Sequence, residues 1–239
     1  MTRDYFIFVP AYNVSRTLAG VLGRIPPAIM ERAEVLVIDD GSKDDTRGAY
    51  ETFVSGVAHL QYMRFEFNRG YGAVVKKGVS EGLRSGAKYI ACLHGDGQYP
   101  AEQLGEFFAH LERVPELALV QGSRHAIAGG AKAGNMPFYK RLGGAFLTAL
   151  ENIAFRQKLT DRHSGFIVYN AEFLKTLDLQ KLSPSFDIDL EIISIADARG
   201  YRLAELPIPT RYDGEKSNLN VVTYGLRVLR QVVRRLCLR

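Results

Sequence analysis

An α/β fold, with a mixed and mainly parallel sheet flanked by helices, is what this chain predicts. Three observations carry that expectation. Strand-length apolar runs alternate with helix-length segments through the first half of the sequence. The runs are nearly continuous in apolar residues, as strands buried on both faces are. Polar residues collect directly after them, at Pro10–Asn13, Asp39–Asp45 and His94–Gln98. In such sheets ligands sit in the crevice beyond the carboxyl ends of the strands.

The elements follow in order. Tyr5–Val9 reads as a buried strand ending at Pro10, and Ser15–Gly23 as a helix with Ser15 in the N-cap position. Glu34–Asp39 is a strand rich in β-branched residues. Asp44–Val54 is a helix whose acidic first turn suits the helix dipole. Leu60–Phe65 is a strand, Gly72–Ser85 a helix, Lys88–Leu93 a strand, Ala101–Leu111 a helix and Leu117–Gln121 a strand. Beyond Gly122 the alternation weakens. Ala126–Pro137 reads as a mobile loop, Phe138–Arg156 as a long helix, Phe166–Tyr169 as a short strand, Ile188–Arg199 as a helix and Arg202–Leu206 as a strand. No repeat or linker divides the chain, so one domain is expected over 1–218, with a C-terminal helix over 219–239. In that helix Val222, Leu226, Leu229, Val233 and Leu236 recur at helical spacing, with Arg227, Arg230 and Arg234 on another strip. Such a helix suits a peripheral membrane contact, the core or a second subunit, and its arginines exclude a spanning role.

The 239 residues carry a formal net charge of +5. An anionic partner fits that balance, either a phosphate-bearing substrate or a membrane surface. Nucleic acid is not expected, because the basic residues are not interleaved with aromatics on one face. Cys92 and Cys237 are too far apart to suggest a disulfide framework or a zinc site. The apolar N-terminal run is too short for a signal peptide or a span, so the cytoplasm is the expected compartment.

Two segments carry chemistry. Asp39-Asp40-Gly41-Ser42-Lys43-Asp44-Asp45-Thr46 places two carboxylates at a strand end. They suit the N–H groups of a base and the hydroxyls of a ribose, or else an Asx-turn and a helix cap. His94-Gly95-Asp96-Gly97-Gln98 follows the strand ending at Leu93. Its carboxylate suits Mg²⁺ or Mn²⁺ bridging a diphosphate, or else a glycine turn with incidental polar residues.

Taken with Val9-Pro10-Ala11-Tyr12-Asn13 and Asn68-Arg69-Gly70-Tyr71-Gly72, these segments resemble the family 2 glycosyltransferases of the GT-A fold. Gly122-Ser123-Arg124, Thr160-Asp161, Ser164-Gly165-Phe166, Phe186–Glu191 and Glu205-Leu206-Pro207-Ile208 extend the resemblance to the dolichol- and polyprenyl-phosphate sugar synthases. It implies an inverting transfer from a UDP- or GDP-sugar to a lipid phosphate. Asp39 and Asp40 would hold the nucleoside, with Pro10, Tyr12, Asn13, Asn68, Gly70, Gly72, His94 and Gly95 around the donor. Asp96 would hold the metal, with Gln98 near the sugar or acceptor, and Arg124, Lys140, Arg141 and Ser217 would meet the acceptor. Departures from the family pattern are His94 in place of the first Asp of Asp-x-Asp, Ile167 where many synthases carry Arg, and the exchanged order of Lys216 and Ser217.

A hydroxyl acceptor would need a general base, for which Asp161, Asp189 and Glu191 are candidates. A phosphate monoester is already anionic at neutral pH and needs cations instead. The alternatives are a transferase acting on a saccharide or small-molecule hydroxyl, a sugar nucleotidyltransferase, and a non-catalytic nucleotide-sugar-binding module. An oligomer is compatible with any of these.

Overall fold

The apolar runs become the strands of one sheet in the computed structural model, which describes residues 3–54, 59–126, 142–143, 147–150, 152–153, 158–209, 228–229 and 233. The strands are β1 (Tyr5–Ala11), β2 (Ala33–Asp39), β3 (Leu60–Arg64), β4 (Tyr89–Cys92), β5 (Leu117–Ser123), β6 (Ile167–Asn170) and β7 (Arg202–Pro207). They lie in the order β3-β2-β1-β4-β6-β5-β7. β1 pairs in parallel with β2 and β4, β2 with β3, and β5 with β7. Only β6 is reversed, running antiparallel to both β4 and β5. The sheet is thus mixed and mainly parallel.

Side chains alternate across the strands, and both faces are buried. Tyr5, Ile7 and Val9 of β1 enter one core layer with Leu18, Leu22, Phe107 and Phe108. Phe6 and Phe8 enter the opposite layer with Val75, Val79, Ile188 and Ile192. Continuous apolar runs were needed in the central strands because each feeds two cores.

The helices are α1 (Leu18–Gly23), α2 (Pro27–Arg32), α3 (Thr46–Val54), α4 (Tyr71–Ser85), α5 (Leu104–Arg113), α6 (Ala171–Leu174) and α7 (Ile188–Ala198). Several boundaries differ from expectation, for local reasons. Ser15 does not cap α1: its amide donates to Asp44 Oδ2 at 3.0 Å, and the helix starts three residues later. α2 was not anticipated, yet Pro27 sits at its start, where a missing N–H costs nothing. Asp44 and Asp45 precede α3 and accept from Thr46 N and Gly48 N, each at 3.1 Å. They therefore cap the helix rather than fill its first turn. α6 was also unforeseen, and starts where the Asn170 side chain accepts from Glu172 N at 2.9 Å.

Within the expected helix 138–156, the described residues 142–143, 147–150 and 152–153 are helical. Within 219–239, Val228, Leu229 and Val233 are helical. The remainder of both segments, and the loop expected at 126–137 beyond Ala126, lie outside the described residues. Among the described residues no helix is long and apolar enough to cross a membrane.

Candidate active site

The topology gathers the chemistry at one sheet edge. β2 and β4 flank β1 on opposite sides, so the chain diverges there and leaves a crevice at the strand ends. Pro10 O, near the end of β1, accepts from Gly95 N at 3.0 Å and so ties the first and third polar segments together. Because β6 is reversed, its beginning lies at this same edge, with Cys92 opposite Ile167. That reversal brings the preceding segment, Asp161–Phe166, beside the ends of β4 and β5.

The paired carboxylates at the end of β2 are buried and already bonded. Asp39 accepts from Ser42 N at 2.8 Å and from the Tyr62 hydroxyl, with Arg64 Nε at 3.7 Å. Asp40 accepts from Arg69 N at 2.7 Å and from Gly70 N at 3.0 Å. Burial pushes its carboxyl above the ordinary value, against the pull of those two amides. Asn13 lies in the left-handed region (φ 55°), accepts from Lys43 N at 2.7 Å and donates its own N–H to Ser42 Oγ at 2.9 Å. These bonds join the turns after β1, β2 and β3 into one rim. Tyr12 is half-buried and Asn68 exposed on it. Gly72 is buried for a different reason than ligand approach: a Cβ there would collide with the backbone of Ser183–Ser185.

Beyond the end of β4, His94 and Asp96 are half-buried. Asp96 Oδ1 accepts from Gln98 N at 3.0 Å, an Asx-turn that orients the carboxylate. The Tyr71 hydroxyl is 3.0 Å from His94 Nε2 and donates to Asp189 Oδ2 at 2.7 Å. Tyr169 donates to the other oxygen, Oδ1, at 3.1 Å. Burial raises the Asp189 carboxyl to about 7, although both tyrosine hydroxyls oppose the shift. Burial lowers His94 below the ordinary imidazole value, with Asp96 opposing and Arg124 assisting. Burial, then the Asp189 charge, keeps the Tyr71 phenol protonated.

Asp161 is buried and engaged at both oxygens by Arg124, through Nε at 2.7 Å and Nη2 at 2.9 Å. Burial alone would raise this carboxyl, but the Arg124 charge and its hydrogen bonds bring it to about 2. Glu205 of β7 holds the same turn, accepting from Thr160 N at 2.6 Å and from Asp161 N at 2.9 Å. Glu191, in α7, accepts from Ser183 N at 2.6 Å.

Residues 6–178 match the glycosyl transferase family 2. The chain belongs to that family. A dolichyl-phosphate beta-glucosyltransferase of Trichomonas vaginalis is 28% identical to it over 211 residues, covering 84% of this chain and 61% of the relative. An undecaprenyl-phosphate mannosyltransferase of Micrococcus luteus is 28% identical over 201 residues, covering 84% of this chain and 80% of the relative. The resemblance to lipid-phosphate sugar synthases therefore holds in curated relatives. The glucosyl-3-phosphoglycerate synthase of Mycobacterium tuberculosis, solved with UDP, superposes with a TM-score of 0.71 at 14% identity, covering 98% of this chain and 80% of that one. A second structure of it, with Mn²⁺, UDP and phosphoglyceric acid, gives a TM-score of 0.69. These likenesses establish the GT-A fold.

Most of the expected site residues in this family 2 chain meet at the one edge: Pro10, Tyr12, Asn13, Asp39, Asp40, Asn68, Gly70, His94, Gly95, Asp96, Gln98, Arg124 and Asp161. Asp189 joins them from α7 through Tyr71. Glu191 is bonded to the loop before α7 instead. Lys140, Arg141 and Ser217 lie outside the described residues. Sequence reasoning gave no role to Tyr71, Tyr99, Tyr169 or Gly165. Tyr71 stood inside a quoted motif, but its partners are 23 and 118 residues away. Only the folded chain brings them together.

Proposed function

We propose that this chain transfers a sugar, with inversion, from a UDP- or GDP-sugar to a polyprenyl phosphate. Membership of the family supports sugar transfer, and the names of the relatives support the acceptor class. The observation that carries the choice of acceptor is the state of the three carboxylates that a hydroxyl acceptor would call on. Asp161 is ion-paired at both oxygens and its carboxyl lies at about 2. Asp189 is buried beneath two tyrosine hydroxyls, and Glu191 is bonded to Ser183 N. Asp161 is too weakly basic to take a proton from an incoming alcohol, Glu191 is tied to the loop before α7, and Asp189, though raised to about 7, has both oxygens occupied by tyrosine hydroxyls. An acceptor phosphate, with its second pKa at about 6, arrives largely ionised and needs none.

In this reading a phosphate oxygen attacks the anomeric carbon from the face opposite the diphosphate. The new C–O bond forms as the bond to the leaving nucleoside diphosphate breaks. Asp39, Asp40 and the rim built by Asn13 and Arg69 receive the nucleoside. A divalent cation fits at Asp96. Among the described residues no cluster of three His, Cys, Asp or Glu side chains would hold a metal by protein alone. One oriented carboxylate completed by diphosphate oxygens and water is a donor set that Mg²⁺ accepts. When bound, the cation offsets charge on the departing diphosphate. Arg124 contributes less to the acceptor than its charge suggests, because Asp161 neutralises it. Lys140, Arg141 and Ser217 supply the remaining acceptor contacts. The protein acts at the cytoplasmic face of a membrane, and exposed Leu229 and Val233 suit a peripheral contact there.

The test uses purified protein with Mn²⁺, a panel of nucleotide sugars, and either a short polyprenyl phosphate or the corresponding polyprenol. Glycolipid formed only with the phosphate is expected. Product formed equally from the alcohol would overturn the acceptor assignment, and no donor turnover under any condition would overturn the transferase.

A further inference from the structure

Thr17 occupies the N-cap position of α1, where a threonine hydroxyl ordinarily accepts from an amide of the helix's own first turn. It makes no such bond. Its hydroxyl donates instead to Gly95 O at 2.7 Å, with Val14 O farther off at 3.3 Å. At the other end of α1 the C-cap residue, Arg24, reaches Gly97 O through Nη2 at 3.4 Å. Both carbonyls belong to the turn after β4, one on each side of Asp96. A peptide unit is planar, so the bond to Gly95 O also fixes the plane that carries the Asp96 N–H. Gly97 O shares its plane with the Gln98 N–H, which donates to Asp96 Oδ1 at 3.0 Å. α1 therefore grips the backbone that enters Asp96 and the amide that holds its carboxylate. Gly95 is buried, so without Thr17 its carbonyl would have to turn to find another donor. The residues just before α1 hold the nucleoside rim: Val14 N donates to Thr46 Oγ1 and Ser15 N to Asp44 Oδ2, each at 3.0 Å. One short stretch of chain thus joins the turn after β2 to the turn after β4.

We propose that Thr17 and Arg24 are positioning residues for the diphosphate end of the donor, aiming the Asp96 carboxylate from α1 and setting its spacing from the nucleoside rim. The proposal rests on the transferase reading for the ligand that occupies the turn. Thr17 and Arg24 act through backbone carbonyls and not on the donor itself. Their loss should therefore be felt where the diphosphate is held, while the nucleoside end, fixed by its own bonds at Asp39 and Asp40, is kept.

The test is calorimetric binding of UDP, GDP and the matching nucleoside monophosphates to the full chain with Mn²⁺, in variants whose circular dichroism spectrum is unchanged. Thr17→Val keeps the shape of the side chain and removes its proton. It should weaken the bound nucleoside diphosphate about tenfold and leave the monophosphate unchanged, as loss of an outer-shell partner does. Thr17→Ser restores the hydroxyl and should restore the affinity. Arg24→Met, which removes the longer bond, should act in the same direction by less. In initial-rate kinetics Thr17→Val should raise the donor KM and leave the acceptor KM as it is. Equal loss for diphosphate and monophosphate, unchanged diphosphate affinity in Thr17→Val, or a serine variant no better than valine, overturns the positioning role and leaves the transferase reading standing. A wild-type chain that binds none of the nucleotides overturns both.

Discussion

Replacing Asp189 by Asn should remove a pH dependence from folding stability. In the folded chain the Asp189 carboxyl lies at about 7, against an ordinary value of 3.8, because it is buried in the layer beneath α7. A shift of roughly three units corresponds to about 4 kcal/mol of preference for the neutral form. The sign follows from linkage. A carboxyl whose folded value is raised contributes fully below its unfolded value, and that contribution is lost as pH rises through about 7. Between about pH 5 and about pH 8 the loss amounts to about 2.5 kcal/mol. Asn carries no proton to lose, while its amide still offers an oxygen and an N–H to the two tyrosines. Urea unfolding of both proteins at the two pH values, without metal or nucleotide, gives the four free energies required. The stability gap between variant and wild type should move by about 2.5 kcal/mol in favour of Asn at the higher pH. Parallel pH dependences would refute the placement of an ionisable Asp189 under Tyr71 and Tyr169.

Four further outcomes are expected. Asp96→Ala should abolish Mn²⁺-dependent turnover with no change in thermal unfolding, and wild-type activity in that variant would remove Asp96 from the site. Asp161→Asn should cost about 3–5 kcal/mol by urea unfolding, because it leaves the Arg124 guanidinium short of its counter-charge. The contribution of Asp161 should be present above about pH 4 and be lost as pH falls through about 2, since its carboxyl is held down. Gly165→Ala should displace the His94 imidazole, lowering turnover while the circular dichroism spectrum is kept. Arg141→Ala should raise the acceptor KM more than the donor KM in initial-rate kinetics.

The sheet was legible because burial on both faces leaves a mark in composition. Tyr5–Val9, Glu34–Asp39 and Leu117–Gln121 are apolar along most of their length, and each is a strand within a residue or two of its expected bounds. The reversal of β6 left no such mark, since its four residues would read alike in either direction. Short helices escaped for a related reason. α2 and α6 have six and four residues, too few to display a 3.6-residue period, and are signalled only by Pro27 at the start of α2 and by the Asn170 cap before α6.

The site divides along the same line. Carboxylates at strand ends can be found from one stretch of chain, so Asp39, Asp40 and Asp96 were legible as a set. What each carboxylate does depends on partners the sequence does not place nearby. Asp161 and Asp189 both read as candidate bases, yet their environments drive them in opposite directions: an arginine at both oxygens brings one to about 2, and burial beneath two phenols raises the other to about 7. The motif supplies a carboxylate, and the fold decides whether it serves as a base, a counter-charge or a brace. In this chain the fold has assigned Asp161 to Arg124 and Asp189 to Tyr71. On the proposed polyprenyl phosphate acceptor, the charge of the acceptor itself would do what a catalytic base would otherwise do, and an acceptor without a charge of its own should be a poor substrate.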